Sequence, residues 1–504
     1  MTNYDDTPTT FSKNRDVRTS SSHPLKIAEI KTGKGHGCIG ITFAPGKTQA
    51  DGMSGAWARS LADDLDVIAA WNASAVITLV EPFELEAMQI EALGLEVKKR
   101  HMEWHHWPIK DVSVPSAEFN RNWVGNAEKI LSLLKGGSNV LIHCKGGLGR
   151  AGMVSARLLV ELGMEPSKAI AAVRFVRPGA IETRPQENWV SAVRAIPIGV
   201  SDSDPRERAL GAFLGLAVGD AVGTTIEFVK KPKFAIVQDM VGGGPFSLKA
   251  GQWTDDTAMA LALADSLIAF PHFDARDLMI RFSDWRRRGT YSCTGECFDC
   301  GNTVSAALDR FEATGDPIAG TKSANSAGNG ALMRLSPVAI RFWNNDELLA
   351  PMAAAQTQTS HGAKEAVDAS ILFASILADA IRGASRDEVL SARAGNFGPK
   401  ITKIASGETW RGIHRDRIQG TGYVVDSLNA ALWAISRTTD YKTAILLAAN
   451  LGEDADTTAA ITGQLAGAIY GVSGIPSRWL DQLAWRDRLT STGSDLYSAS
   501  LKHQ

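Results

Sequence analysis

The chain is poor in cysteine: five in 504 residues, Cys38, Cys144, Cys293, Cys297 and Cys300. Few and odd in number, they exclude the disulfide framework of small secreted domains. Net charge is also nearly absent, since 53 Lys and Arg against 55 Asp and Glu leave −2. No global field therefore draws the chain to nucleic acid or to an anionic membrane. The first residues hold no basic stretch followed by an apolar one, so no signal peptide is expected. The long apolar stretches, 366–381 among them, carry charges or fall short of the ~20 residues a membrane span needs. The expectation is a cytoplasmic chain with no membrane partner. Its 44% hydrophobic and 21% charged residues are those of a folded chain and exclude wholesale disorder.

At roughly 100–200 residues per domain, the length suggests two to four domains. Residues 1–22, rich in Ser, Thr and Asp, read as a disordered tail. Residues 75–80 and 140–143 read as short buried strands, and 152–163 as a helix stopped by Gly163. That alternation predicts an α/β domain with a central parallel sheet over 23–197. Residues 198–207, with Gly199, Ser201, Asp202, Ser203, Asp204 and Pro205, read as a linker. Beyond it the sequence turns Ala- and Leu-rich, and 208–222, 256–269, 366–381, 424–435 and 457–470 read as helices. An all-α domain is expected over 208–504.

The strongest local motif is His143-Cys144-Lys145-Gly146-Gly147-Leu148-Gly149-Arg150. A strand leads into a glycine-bearing loop and a helix follows. Residues Lys145, Gly146, Gly147, Leu148 and Gly149 can point several backbone N–H groups at one oxyanion. The same field favours a thiolate at Cys144, and Arg150 can fork onto two phosphate oxygens. These parts suit attack on a phosphate monoester through a phosphocysteine. A buried cysteine beside a glycine turn is the bland alternative for the thiol alone.

With its His-Cys, five residues, then Arg, this region resembles the cysteine-dependent tyrosine and dual-specificity phosphatases. With Ile41-Thr42-Phe43-Ala44-Pro45-Gly46-Lys47 included, it is most similar to the cyclin-dependent kinase inhibitor 3-like branch, over roughly 36–195. The resemblance implies that Asp111, in Trp104-His105-His106-Trp107-Pro108-Ile109-Lys110-Asp111, protonates the leaving alcohol. It implies that Gln186, after Arg177-Pro178-Gly179-Ala180-Ile181-Glu182-Thr183, positions the hydrolytic water; a polar helix residue is the equal alternative. Many members carry Ser or Thr after the arginine to help the thiolate leave. Here Ala151 stands in that place, which predicts slower breakdown of the intermediate.

The helical half holds two acidic clusters, Thr254-Asp255-Asp256-Thr257 and Asp454-Ala455-Asp456-Thr457, each where a glycine-containing loop enters an apolar helix. Either alone reads first as a helix cap. Together they offer hard oxygen ligands suited to Mg²⁺ or Mn²⁺, and they lack the His and Cys of zinc sites. If the two helix starts converge, they can hold two cations.

From about 206 to 476 the sequence resembles the ADP-ribosylglycohydrolases, especially the dinitrogen reductase-activating branch. The matching stretches are Leu214-Gly215-Leu216-Ala217-Val218-Gly219-Asp220-Ala221-Val222-Gly223, Phe298-Asp299-Cys300-Gly301-Asn302, Gly328-Asn329-Gly330-Ala331-Leu332-Met333-Arg334, Ser360-His361-Gly362, Gly422-Tyr423-Val424-Val425 and the two acidic clusters. The resemblance implies Thr254, Asp255, Asp256, Asp454, Asp456 and Thr457 as ligands of two divalent cations. It places Glu227 near the substrate ribose as a catalytic residue, through metal contact or acid/base help, Asp299 and Asn302 on the scissile side, and Asn329 and Gly330 against the ribose or diphosphate. Tyr423 reads as an adenine-stacking residue or equally as a core or surface tyrosine. His361 reads as a ligand contact or a helix-start residue. Cys293, Cys297 and Cys300 read as structural thiols before a zinc site, since a fourth ligand is not evident nearby. The combined expectation is a bifunctional hydrolase acting on a phosphorylated and ADP-ribosylated molecule or protein. A protein phosphatase joined to an independent arginine-ADP-ribose hydrolase, and a weakly catalytic sensor, are the alternatives.

Overall fold

The structure, a computed structural model, describes residues 17–50, 55–193, 204–230, 235–270 and 272–503. The chain divides into two compact units. One comprises Met1–Thr32, Cys38–Val124 and Asn139–Ala195, and the other Gly33–Gly37, Gly125–Ser138 and Ile196–Gln504.

The strands are β1 (Ala28–Lys31), β2 (Cys38–Phe43), β3 (Thr48–Gln49), β4 (Trp57–Ala58), β5 (Ala73–Thr78), β6 (Glu103–His106) and β7 (Asn139–Cys144). Five form one sheet in the order β1-β2-β7-β5-β6, and β3 and β4 form a separate ribbon. Only β1 runs antiparallel in the larger sheet. Every residue of β5 is buried, as is all of β7 beyond Asn139. A sheet covered on both faces demands such continuous apolar runs, which is why these two strands read clearly in the sequence. The helices of this part are α1 (Leu61–Ala70), α2 (Pro82–Ala87), α3 (Leu93–Lys99), α4 (Ala117–Lys135), α5 (Gly149–Glu161), α6 (Pro166–Val176) and α7 (Arg184–Ser191). Central β7 delivers Cys144 to the carboxyl edge of the parallel strands, where open α/β sheets place their ligands.

The expected tail ends earlier than the composition implies. Residues 1–16 lie outside the described residues, but Arg18 joins the ribbon. Its N–H donates to Ala56 O at 2.9 Å and its carbonyl accepts from Ala58 N at 3.0 Å. The expected linker is also corrected. Residues 198–203 lie outside the described residues, and Asp204 caps a helix that begins at Pro205. Asp and Pro suit a linker, but they equally mark a helix start.

The second unit is helical: α8 (Pro205–Gly223), α9 (Asp255–Ala269), α10 (Ala275–Arg288), α11 (Asn302–Thr314), α12 (Ser336–Phe342), α13 (Asp346–Gln358), α14 (Lys364–Ile381), α15 (Arg386–Val389), α16 (Pro399–Ser406), α17 (Val424–Ser436), α18 (Tyr441–Ala449), α19 (Ala455–Tyr470), α20 (Ser477–Gln482) and α21 (Arg486–Ser500). Among the described residues, one helical stretch, Pro205–Ile226, is long and apolar enough to cross a membrane, and 89% of it is buried inside the protein. Its apolarity is that of a core helix packed on all sides.

Helices α8 and α19 meet through small residues. A Cβ added at Gly211 or Gly215 would stand 2.3 Å from the carbonyl of Gly467 or Gly463, and at Gly219 2.2 Å from that of Ala459. Spacing by four puts these glycines on one face. The close approach brings Asp220, on α8, to Asp456, in the first turn of α19. Gly215→Ala is therefore expected to destabilise the chain by about 1–3 kcal/mol. Gly125→Ala, with no atom within 4 Å of the added carbon, is expected to leave stability unchanged or slightly raised. Urea unfolding of the full chain reads both.

Candidate active sites

In the first unit, Cys144 ends β7 and is buried. The Gly147 N–H donates to its Sγ at 3.2 Å. Gly147 has φ +67°, and a Cβ there would lie 2.4 Å from Thr42 O, so only glycine lets the loop turn this close to β2. Arg177 braces the loop, donating to the carbonyls of Gly147 and Gly146, each at 3.0 Å. His143 anchors the strand. Thr78 Oγ1 accepts from Trp104 Nε1 at 2.9 Å and shares a hydrogen bond with His143 Nε2 at 2.8 Å. Burial pushes His143 down to about 3, which keeps it neutral.

Arg150 is fully buried, in the first turn of α5. Its two terminal nitrogens donate to Glu84 at 2.6 and 2.9 Å, and one also donates to Ile109 O at 3.0 Å. Asp111 Oδ1 stands 2.8 Å from the other. Burial would raise the Glu84 carboxyl, but Arg150 and the Glu81 backbone hold it below the usual range. The structure thus places the expected acid, Asp111, against the expected phosphate-binding arginine, on a half-exposed loop. Gln186 is buried and held by a capping box. Its Oε1 accepts from Glu182 N and Thr183 N at 3.0 and 3.4 Å, while Nε2 reaches Ser113 O at 3.3 Å. It ties the start of α7 to the Asp111 loop.

Sequence reasoning passed over Glu84. The available signal was Glu81-Pro82-Phe83-Glu84, a helix start directly after β5 that puts an acid below the loop. Glu84→Ala strips a buried cation of its bidentate partner. It is expected to cost about 3–5 kcal/mol of stability, with Glu84→Gln falling between it and wild type. Denaturant unfolding of the full chain checks this.

In the second unit the two acidic clusters converge. Thr254 Oγ1 lies 3.2 Å from Asp256 Oδ2 and 3.3 Å from Asp456 Oδ2, and Thr457 Oγ1 lies 3.4 Å from Asp256 Oδ2. Asp220 sits beneath them, accepting from the N–H and hydroxyl of both Thr254 and Thr257 at 2.6–3.1 Å. It therefore locks the start of α9. Asp220 was visible within its motif as a carboxylate inside an apolar helix, but carried no role.

A cavity of about 660 Å³ opens onto this cluster, lined by Glu227, Asp255, Asp299, Asn302, Asp454 and Thr457 among others. Asn329 Nδ2 donates to Asp454 Oδ2 at 2.6 Å and to Ser427 Oγ at 2.8 Å, orienting that carboxylate. His361 lines the cavity, bonded through Nδ1 to Ser360 Oγ at 2.8 Å. Its ring fills the space beside Gly330, where a Cβ would come within 3.0 Å of it. Burial, then the Arg334 charge, pushes it down to about 3. Phe228, Asp299 and Glu453 line the same cavity with φ of 62°, 55° and 61°, backbone strain concentrated at one site. Tyr423 does not line this cavity. It lines a neighbouring one of about 540 Å³ with Gly328 and Gly422, its hydroxyl bonded to Glu365 and to Lys400.

The carboxylates form an excess of negative charge. Oxygens of Asp220, Asp256 and Asp456, and separately of Glu227, Asp299 and Asp456, lie within 4.8 Å of one another. Asp256 Oδ1 and Glu227 Oε2 are buried without a hydrogen-bond partner. Burial, then Asp299 and Asp454, pushes Glu227 up to about 9; burial, then Asp454, pushes Asp299 up to about 7. Asp255, Asp256 and Asp456 are held well above the usual carboxylate range by burial and by their acidic neighbours. Orphaned buried oxygens in all-oxygen groups fit hard divalent cations. Among the described residues, the cysteines join no such group.

The fold and these two sites define a hydrolase. A family model described as ADP-ribosylglycohydrolase matches residues 201–504, and the chain belongs to that family. A second, described as the DSP-PTPase phosphatase of polymorphic toxin systems, matches residues 51–164. The ADP-ribosylarginine hydrolase Tri1 of Pseudomonas putida (strain GB-1) is 44% identical over 67% of this chain and 90% of its own. The tyrosine-protein phosphatase CDC14 of Saccharomyces cerevisiae is 37% identical over 23% of this chain and 19% of its own. A solved structure titled ADP-ribosylglycohydrolase-related protein complex is 41% identical over 59% of this chain and 99% of its own, with a TM-score of 0.53.

Proposed function

We propose that the chain is a bifunctional hydrolase that removes ADP-ribose from arginine in its second unit and phosphate from a monoester in its first. The convergence of the two acidic clusters on one cavity carries the first half of this reading. The 44% identity to an ADP-ribosylarginine hydrolase supports arginine as the leaving group. The expected ligands Thr254, Asp255, Asp256, Asp454, Asp456 and Thr457, joined by Glu227 and Asp299, would hold the cations, Mg²⁺ or Mn²⁺, which supply Lewis acidity and a bound water when present. The chain's own residues fix the geometry: Asp220 holds the Thr254 turn, and Asn329 holds Asp454. Carboxylates around the cavity favour the positive charge that develops on the sugar as the glycosidic bond breaks.

In the first unit the Cys144 sulfur attacks phosphorus and Asp111 gives its proton to the leaving oxygen. Arg150, its terminal nitrogens held by Glu84, Ile109 O and Asp111, offers its unpartnered Nε to a phosphate oxygen, and the nitrogen facing Asp111 follows when that carboxyl turns to the leaving oxygen. We further propose that both units act in succession on one phosphorylated ADP-ribosyl substrate, which the fusion and the common ribose-phosphate chemistry motivate. Five unpaired thiols suit a reducing, cytoplasmic setting.

The test is a paired assay on the full chain, with an aryl phosphate, an ADP-ribosyl-arginine and a phosphorylated ADP-ribosyl-arginine. Release of phosphate and of arginine from the third compound is the expected result. Processing at one site alone sinks the common substrate, and turnover of neither simple compound sinks the enzymatic reading in favour of a sensor.

A further inference from the structure

Beside the Cys144 loop lies a cluster of cationic side chains that the phosphate chemistry described above does not use. Phe43 pairs in register with Cys144, and Ala44 N donates to Lys145 O at 3.4 Å, so the segment after β2 runs along the start of the loop. Asp64 then fixes the turn, accepting from Gly46 N at 2.8 Å. The turn presents Lys47, which is 7% exposed. Its Nζ stands 4.6 Å from the Trp57 ring centroid and 5.4 Å from that of Phe43. Its carbonyl accepts from Arg59 N at 3.3 Å, but among the described residues its ammonium makes no hydrogen bond and no ion pair.

The neighbours do not neutralise it. The Arg18 guanidinium lies over the same Trp57 ring at 5.2 Å. Arg59 lies over Phe43 at 4.9 Å, and its charge is committed to Asp64 at 2.7 and 2.8 Å. The Asp64 oxygens are shared among Arg59, Gly46 N and Ser20. Burial, then the charges of Lys145 and Arg59, pushes the Lys47 ammonium down to about 8, while the Cys144 sulfur acts the other way. Lys47 is therefore within the electrostatic reach of both the nucleophile and the loop lysine. A buried ammonium facing like charges is costly unless an anion meets it.

We infer that Lys47, with Arg18 and Lys145, forms a second anion subsite next to the phosphate-binding loop, so that the substrate of the first unit is a phosphate monoester carrying a further phosphate or diphosphate. The inference rests on the phosphatase reading for the identity of the first subsite. The two aromatic rings hold Lys47 in place without consuming its three donors. A protein phosphotyrosine would need no such group. A nucleotide-like diphosphate would supply the second anion that Lys47, beside the loop, lacks.

The test uses the full chain in buffer free of divalent cations. Inorganic phosphate, pyrophosphate and tripolyphosphate compete against turnover of an aryl phosphate. For wild type, inhibition constants are expected to fall about 10-fold or more from phosphate to the longer anions, the size of one or two charge-assisted hydrogen bonds. Lys47→Gln is expected to lose most of that preference, Lys47→Arg to keep it, and Arg18→Gln, at a less buried position, to lose about threefold. An undiminished preference in Lys47→Gln, or none in wild type, overturns the subsite. If aryl phosphate is not hydrolysed at all, the catalytic reading fails. Calorimetric binding of the same anions to the wild type and Lys47 variants then still decides the subsite: a Lys47-dependent preference keeps it, and an equal affinity rejects it.

Discussion

Cys144→Ser is expected to lower phosphate release from an aryl phosphate by about 10⁴-fold or more, while hydrolysis of ADP-ribosyl-arginine stays within about twofold of wild type. The size of the loss follows from what serine lacks. Its hydroxyl does not ionise near neutral pH, and no histidine takes its proton. The nearest one, His143, points into the sheet, bonded to Thr78 and held neutral by burial. The loop itself survives the change, because Arg177 holds the Gly146 and Gly147 carbonyls and Glu84 holds Arg150 independently of the sulfur. The variant should therefore still bind phosphate anions, which separates loss of the nucleophile from loss of the site. Wild type should accumulate phosphoenzyme in rapid-quench experiments, since Ala151 offers no hydroxyl to the departing thiolate. Residual turnover within about tenfold of wild type in Cys144→Ser would remove Cys144 from the reaction.

Much of this was legible before any coordinates. The buried strands β5 and β7 announced themselves as apolar runs, and the loop between β7 and α5 as a glycine-spaced Cys-to-Arg motif. The two acidic clusters were visible, and their convergence was the condition that only a fold could meet. Other features were not legible because long-range contacts decide them. Glu84 lies 66 residues from Arg150, and nothing local in either segment names the other. Asp220 depends on α8 and α19 touching through glycines, a contact set by the absence of side chains. Tyr423 matched a motif, and the fold sets it in an adjoining cavity that has Thr303, Gly328 and Gly422 in common with the carboxylate one. Lys47 was part of a matched stretch, but its isolation from acidic partners appears only when Arg59 is seen to occupy Asp64.

Divalent cations are expected to control the second unit in both activity and stability. The chain has brought buried Asp220, Glu227, Asp255, Asp256 and Asp456 and half-buried Asp299 and Asp454 together at one cavity, and among the described residues no Lys, Arg or His ion pair reaches any of them. The folded state thus carries electrostatic repulsion that the unfolded chain relieves by dispersing these groups. A cation that binds only the folded arrangement reverses that preference. Mass action then gives about 2.7 kcal/mol at a free concentration 100 times its Kd. For a unit of this size that is roughly 4 °C in thermal midpoint. Chelation should remove the shift and abolish release of arginine from ADP-ribosyl-arginine, yet leave aryl phosphate hydrolysis unchanged, because among the described residues no metal-binding carboxylate group includes the cysteine loop. Asp256→Asn and Asp456→Asn separate the two causes. Each removes a carboxyl that burial and acidic neighbours hold well above its usual range, a cost the unfolded chain does not bear, so each should raise the midpoint of the metal-free chain; each also removes an oxygen donor, so each should shrink the response to Mg²⁺ or Mn²⁺. A midpoint indifferent to both cations, together with glycohydrolysis that persists under chelation, would show that the carboxylates act without metal. The raised Glu227 and Asp299 would then have to carry the proton transfers alone.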